Sequence, residues 1–127
     1  MQWLAVALGG ALGAMARYAV SLWLTPASSH KFPLTPFYTT LSVNVLGSFL
    51  MGLLFVFIVE RAALPVEMRS LLMVGFLGAF TTYSTFSLDA LNLWQNGHLF
   101  LALVYVLATV VLCLVAVSIS IWLARLL

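Results

Sequence analysis

Four long apolar runs alternate with short polar segments along the chain. The runs cover about residues 3–24, 37–59, 70–94 and 99–123. Each is long enough to cross the hydrocarbon core of a bilayer as a helix, which takes about 20 residues. The segments between them hold the prolines, the Asn96-Gly97 pair and most of the charged residues, as is typical of turns. The pattern predicts an all-α integral membrane protein with four transmembrane helices, forming a single four-span domain over residues 1–127.

The composition agrees with this prediction and excludes several classes of function. Hydrophobic residues make up 65% of the chain and charged residues only 6%, whereas soluble domains average about 25% charged. The formal net charge of +2 is too small and too scattered for a nucleic-acid-binding face. The single cysteine, Cys113, allows neither an intrachain disulfide nor a zinc cluster. Because so short a chain encloses little space, we expect it to form an oligomer.

Tryptophans mark the predicted helix ends. All four lie where an apolar run begins or ends, as an interfacial aromatic belt requires: Trp3, Trp23, Trp94 and Trp122.

The third apolar run contains a stretch that is poorly suited to a regular membrane helix. Residues 75–87 read Gly-Phe-Leu-Gly-Ala-Phe-Thr-Thr-Tyr-Ser-Thr-Phe-Ser. Hydroxyl side chains compete with helical hydrogen bonds, and Gly75 and Gly78 loosen the backbone before them. Discontinuous helices of this kind form ion sites, because half-helix ends present free carbonyl and amide groups. The stretch predicts that the third transmembrane helix is broken in mid-span.

Two stripes of polar side chains recur at four-residue spacing. One lies in the second span (Thr40, Asn44, Ser48) and the other in the fourth (Tyr105, Thr109, Cys113). Asn44 either holds two helices together or donates a hydrogen bond to an anion on a path through the membrane. The fourth-span stripe either satisfies its own helix backbone or forms a polar track, and both alternatives stay open for each stripe.

Two charged residues lie inside predicted spans. Arg17 lies about 10 Å below the end of its span by helical rise, and it either snorkels to the interface or attracts an anion at a pore mouth. Asp89 follows the predicted break, where an acid suits the dipole of the second half-helix. The alternative role, a proton or cation carrier, has no second acid to support it. One turn before Arg17, Gly9 and Gly13 form a GxxxG pair that predicts the close approach of another helix.

The charges at the span ends orient the chain only weakly. Arg61, Arg69 and Arg125 fall on one side, against Lys31 and Arg17 on the other. Such a chain could insert in both orientations, and two opposite copies could pair as an inverted-topology dimer.

Aromatic residues surround the predicted break: Phe76, Phe80, Tyr83 and Phe86. Core packing accounts for any one of them. Aromatic rings also have a positive edge, and ring edges together with hydroxyl and amide donors make a site for a small anion without fixed charge. No nucleophile–base pair, metal-ligand cluster or phosphate loop is recognisable, so we expect an anion channel or carrier and not an enzyme.

The stretch 75–87 closely resembles the signature of the Fluc fluoride channels, also called CrcB proteins. The resemblance extends to residues 9–13 with Arg17, and to residues 40–44 followed by Gly47. It covers essentially the whole chain. It implies an antiparallel, dual-topology homodimer in the lipid bilayer of the bacterial inner membrane, with two pores that passively let fluoride out of the cell.

The resemblance also implies the roles of particular residues. Fluoride would pass the pore asparagine, two aromatic positions, hydroxyl donors between them and a polar track: Asn44, Tyr83, Phe86, Ser84, Thr85, Tyr105, Thr109 and Cys113. We add Thr40 and Arg17 to the predicted fluoride path. A structural sodium ion, which is not transported, would be held by the backbone carbonyls of Gly78 and Thr81. The chain departs from the family pattern at Tyr83, where phenylalanine is usual, at Ala79, where glycine is common, and at Cys113, where serine is frequent.

Two other functions stay open from the residues. A small four-helix proton-coupled drug exporter would need a carboxylate in the first span, which has none. In a non-transporting assembly subunit, the broken helix would serve only as a docking joint.

Overall fold

The computed structural model describes residues 1–25, 34–62 and 64–127. Those residues form helices and no strand, in the order α1 (Gln2–Leu24), α2 (Thr35–Tyr38), α3 (Thr40–Leu54), α4 (Val66–Arg69), α5 (Gly78–Phe80), α6 (Tyr83–Gln95) and α7 (Leu99–Leu126). Two segments have π-helical hydrogen bonding: Phe55–Arg61 continues α3, and Ser70–Leu77 joins α4 to α5.

Four helical stretches are long and apolar enough to cross a membrane, which confirms the predicted span count. They are Gln2–Leu24, Thr35–Arg61, Val66–Gln95 and Leu99–Leu126. The second and third begin earlier than predicted. Pro36 fits the first turn of its helix, where its missing N–H needs no partner. Pro65 has an extended backbone, and a helix begins directly after it. His30 and Lys31 of the predicted first loop lie outside the described residues.

Glycines let α1 lie against the backbone of the third span. A Cβ atom added to Gly9 would collide with the carbonyl oxygen of Leu71, and one added to Gly13 with that of Phe76. From the other side, a Cβ on Gly75 would lie 2.8 Å from the carbonyl oxygen of Val6. The close helix approach predicted from the GxxxG pair is therefore confirmed, and its partner is the first half of the third span.

The second half of the third span packs on a different neighbour. Helix α6 lies against α7, and their shared core holds Phe86, Leu93, Ala102 and Tyr105. Helix α7 also packs along α3, where a side chain on Gly52 would collide with Ser120 Oγ. The two halves of the third span thus belong to two different helix packings.

The helical run of the third span is interrupted between these halves. Thr81 has φ −84° and ψ 160°, and Thr82 has φ −152° and ψ 117°, so both residues are extended. Helix α5 ends at Phe80 and α6 begins at Tyr83. The interruption falls inside the stretch 75–87 singled out from the sequence.

An ion pair ties the ends of the second and fourth spans together. Arg125 donates two hydrogen bonds to the Glu60 carboxylate, at 3.1 Å from Nε and 2.6 Å from Nη2. Arg61 Nη2 donates to the Arg125 carbonyl oxygen at 3.3 Å, and its guanidinium lies 5.6 Å from the centre of the Phe57 ring. Arg61 and Arg125 therefore lie at one end of the molecule, as their positions in the sequence predict.

Candidate functional site

The side chain of Asn44 bridges α3 to the extended residues of the third span. Its Nδ2 donates to the Thr82 carbonyl oxygen at 3.0 Å, and its Oδ1 accepts from the Thr82 N–H at 2.8 Å. The amide thus acts like a peptide group and pairs both backbone groups of a buried, non-helical residue. Gly47 permits this approach, because a Cβ there would collide with the Thr81 methyl group. The structure therefore gives Asn44 the helix-holding role that the sequence left open.

The hydroxyl of Thr82 caps the second half-helix. Its Oγ1 accepts from the Thr85 backbone N–H at 3.2 Å, donates to Thr85 Oγ1 at 3.1 Å and lies 3.3 Å from Ser84 Oγ. Threonine is a favoured N-cap residue, because its oxygen satisfies an amide that has no helical carbonyl. Of the hydroxyls in the stretch 75–87, those of Ser84 and Thr85 thus contact Thr82, whereas those of Thr81 and Ser87 donate to backbone carbonyls four residues earlier.

These bonds deprive two carbonyls of their helical donors. In a continuous helix, the Gly78 carbonyl would accept from Thr82 N–H and the Thr81 carbonyl from Thr85 N–H. The Thr82 N–H donates to Asn44 instead, and the Thr85 N–H donates to Thr82 Oγ1. The two backbone oxygens assigned to sodium by the resemblance therefore carry lone pairs suited to a hard cation. Among residues 1–25, 34–62 and 64–127, no group of three or more His, Cys, Asp or Glu offers a metal site.

A cavity of about 380 Å³ lies between α3, the interruption and α7. Its walls include the Asn44 and Ser48 positions of α3 and several residues of the other elements, among them Thr81, Thr82, Tyr83, Phe86, Thr109 and Cys113. We call this space the α7 cavity. Six of the predicted site residues meet there, counting Thr81.

A second cavity of about 310 Å³ lies on the other side of the interruption, against α1. Its walls include Arg17 and Ser21 of α1, Thr40 of α3 with Thr39 just before it, and Thr85 of α6. We call this space the α1 cavity. Arg17, Thr40 and Thr85 are thus brought together, but apart from the residues of the α7 cavity.

Asp89 joins two of the predicted pore residues. Thr40 Oγ1 donates to Asp89 Oδ2 at 2.7 Å, and the Tyr105 hydroxyl donates to the same oxygen at 3.3 Å. The sequence predicts a helix-dipole role for Asp89, with a proton or cation carrier as the alternative, and gives no sign of its contacts with Thr40 and Tyr105. Its one signal was that it is the sole acid inside a predicted span. Because the three residues come from three helices, no spacing in the chain shows that they meet.

The aromatic side chains form two separate groups. Ring centres lie 5.4 Å apart for Tyr83 and Phe86, 5.4 Å for Phe86 and Tyr105, and 5.2 Å for Tyr105 and Phe37. This row runs from Tyr83, which is 79% exposed, to the fully buried Tyr105. Phe76 and Phe80 stack on each other, with Phe80 in a core cluster with Val43 and Leu77. Phe76 and Phe80 therefore belong to the packing of the first half.

Residues 4–121 match the family described as CrcB-like protein, Camphor Resistance (CrcB). The chain belongs to the CrcB family. This confirms the resemblance found in the sequence.

Three relatives are similar to this CrcB chain over nearly its whole length. A protein of Saccharophagus degradans named fluoride-specific ion channel FluC is 59% identical over 94% of this chain and 86% of its own. Proteins with the same name from Hahella chejuensis and Magnetococcus marinus are 54% and 49% identical over 95% of this chain, and over 92% and 95% of their own.

The remaining predicted residues are Thr109, Cys113, Ser84 and Gly78. Thr109 Oγ1 donates to the Tyr105 carbonyl oxygen at 2.7 Å, so its hydroxyl bonds its own helix while it lines the α7 cavity. Cys113 is a free, partly buried thiol in the same wall. Ser84 and Gly78 are exposed and line neither cavity. In this CrcB protein nine of the twelve predicted site residues therefore line one of two cavities that share Thr82, and Tyr105, like Ser84 and Gly78, lines neither.

Proposed function

We propose that this CrcB protein is a fluoride-selective channel that lets fluoride leave the cytoplasm passively and so reduces its toxicity. The observation that carries the proposal is the 59% identity, over 94% of the chain, with a protein named fluoride-specific ion channel. The protein acts as a multi-pass membrane protein and not as an enzyme.

The donors around the α7 cavity suit a small anion. Fluoride leaves water only where other groups replace its hydration, and conduction requires that binding be weak enough for release. The cavity walls carry the Asn44 amide, threonine hydroxyls and the rings of Tyr83 and Phe86. Hydroxyl and amide protons and positive ring edges attract an anion without the strong hold of a fixed charge.

The membrane potential sets the direction of fluoride flow. A negative interior favours the exit of one anion by about 2.3 kcal/mol per 100 mV. No coupling to a proton or sodium gradient is needed.

The channel works as an antiparallel homodimer in the bacterial inner membrane. The weak charge bias between the two ends supports insertion in both orientations. The exposure of Tyr83 supports a partner at the interruption, since its ring is 79% exposed beside the α7 cavity. Single cysteines placed at the two termini in a Cys113→Ser background test this arrangement. We expect a membrane-impermeant thiol reagent to label about half of each terminus from either side, whereas labelling from one side alone would contradict dual topology.

A structural sodium ion stabilises the interruption. The carbonyl oxygens of Gly78 and Thr81 would hold it, because their helical donors bond elsewhere. When bound, the ion supplies positive charge to carbonyl dipoles that face no amide. We expect the purified protein to melt at a lower temperature when sodium is replaced by N-methylglucamine, and equal melting temperatures would reject the site.

Fluoride efflux from liposomes tests the main proposal. The protein is reconstituted in liposomes loaded with potassium fluoride, and valinomycin starts efflux, which a fluoride electrode records. We expect rapid efflux with no pH gradient. Efflux that requires a pH gradient would indicate an exporter, and no efflux from correctly assembled protein would indicate an assembly subunit.

A further inference from the structure

The two cavities share one residue. Among the described residues, Thr82 lines both the α7 cavity and the α1 cavity. One cavity offers Asn44 and the aromatic rings, and the other offers Arg17 and the hydroxyls of Thr40 and Thr85. The predicted pore residues are therefore distributed on both sides of a single buried threonine.

The backbone of Thr82 is held in place by Asn44, and its side-chain oxygen bonds within the start of α6. Both peptide groups of Thr82 are paired with Asn44, at 2.8 and 3.0 Å. The residue is 8% exposed, and its own atoms form part of the wall of both cavities. Its hydroxyl contacts two further hydroxyls, those of Thr85 and Ser84, at 3.1 and 3.3 Å. A fluoride ion moving between the cavities would meet this hydroxyl group at the dividing point.

We propose that the Thr82 side chain is the partition between the two cavities and that fluoride crosses it beside the Thr82 hydroxyl. The inference rests on the proposed channel function and adds to it a residue that limits the passage of the ion. The γ-methyl group limits the width of the passage, and the hydroxyl turns its one proton from Thr85 Oγ1 to the ion as the ion passes. Asn44 positions the partition through the Thr82 backbone.

A purely structural role makes a different prediction. If Thr82 served only as the N-cap of α6, any good capping side chain would replace it, and asparagine caps at least as well as threonine. Asparagine is also larger than threonine, so it would narrow a passage. The two roles are thus separated by the behaviour of an asparagine variant.

Three variants measured in the liposome assay test the partition. Thr82→Ser keeps the hydroxyl and the cap but lacks the methyl group, and we expect fluoride efflux at least as fast as in the unsubstituted protein. Thr82→Asn keeps the cap, and we expect an unchanged melting temperature with efflux reduced roughly tenfold or more. Thr82→Val keeps the shape without the hydroxyl, and we expect a similar reduction, since an unreplaced hydrogen bond to an ion commonly costs about a factor of ten.

The control is Ser120→Ala. Ser120 is also a buried hydroxyl, but it lies between α3 and α7 and lines neither cavity. We expect its efflux to equal that of the unsubstituted protein.

Different results would overturn the partition proposal and the channel proposal. Normal efflux from Thr82→Asn, or lost efflux from a folded Thr82→Ser variant, would overturn the partition while leaving the channel proposal intact. Absence of fluoride efflux from the unsubstituted protein would reject the channel itself. If Thr82→Val fails to fold, the serine and asparagine variants still decide.

Discussion

The two halves of the third span are both helical, but they pack against different helices and differ in the side chains they carry. The first half, from Val66 to Phe80, lies against α1 with glycines at the contact, so that backbone meets backbone. The second half, from Tyr83 to Gln95, lies against α7 and presents hydroxyls, aromatic rings and a carboxylate. The first half is a packed scaffold, and the second half carries the polar groups of the site.

The difference follows from how far each half pairs its own backbone N–H and C=O groups. In the first half, the π-helical and α-helical bonds use the backbone groups internally, and small residues let dispersion contacts form over a long surface. At the junction, Thr81 and Thr82 leave backbone groups that need side-chain partners, and Asn44 supplies them. We therefore expect ion passage to depend on the residues where the third span stops pairing its own backbone groups. Substitutions in the first half should impair folding, and substitutions after the junction should impair ion passage.

The largest expected effect is on the second half, at Phe86. Its ring is buried between Tyr83 and Tyr105 in the aromatic row and lines the α7 cavity. We expect Phe86→Ile to abolish fluoride efflux from liposomes while the dimer stays intact on gel filtration, because isoleucine offers no positive ring edge. The matched control is Phe100→Ile, since Phe100 is 76% exposed at the start of α7. Unchanged efflux from the Phe86 variant would count against an aromatic-lined path.

The next effect is expected at the junction, at Asn44. Asn44→Leu keeps the approximate size but removes both partners of the Thr82 backbone. Leaving a buried donor or acceptor unpaired costs about 1–3 kcal/mol each. We expect a clearly lower melting temperature together with lost efflux, because the junction contributes to folding and to ion passage. Asn92→Leu, a partly buried position further along α6 and outside both cavities, serves as the control. A normal melting temperature for the Asn44 variant would show that the bridge from Asn44 to the Thr82 backbone does not stabilise the fold.

A smaller effect is expected from the first half, at Gly13. Alanine is a better helix former than glycine by about 1 kcal/mol, yet a Cβ at Gly13 would collide with the Phe76 carbonyl. Overpacking of this kind typically costs about 1–3 kcal/mol, so we expect Gly13→Ala to lower the melting temperature. In Gly10→Ala the added Cβ meets nothing within 4 Å in the same chain, and we expect no loss. Equal behaviour of the two variants would show that the α1 contact is not closely packed.

The smallest effect is expected outside both halves, at the ion pair between Glu60 and Arg125. Both groups are at the surface, where solvent and salt weaken the attraction. We expect Arg125→Gln to change neither the melting temperature nor the efflux rate by a measurable amount at physiological salt. A large loss of efflux would mean that the span ends, as well as the junction, control ion passage.

The sequence by itself determined the membrane class and the four spans, and it predicted a weak point in the third span. Each of these depends on a local property: the length of an apolar run, or hydroxyls and glycines that compete with helical bonds over a few residues. The GxxxG pair also predicted a close helix contact, because small side chains allow such an approach wherever the partner lies. The sequence could not say that the partner is the first half of the third span.

Only the tertiary structure decided which polar groups meet. Asn44 pairs with a backbone 38 positions away, and Thr40, Asp89 and Tyr105 converge from three helices. The division of the predicted site into two cavities at Thr82 likewise depends on how α1 and α7 lie on opposite sides of the interruption. Hydrogen bonds between helices depend on their rotation and depth relative to one another. Those quantities result from packing over the whole molecule, and no local pattern in the chain encodes them.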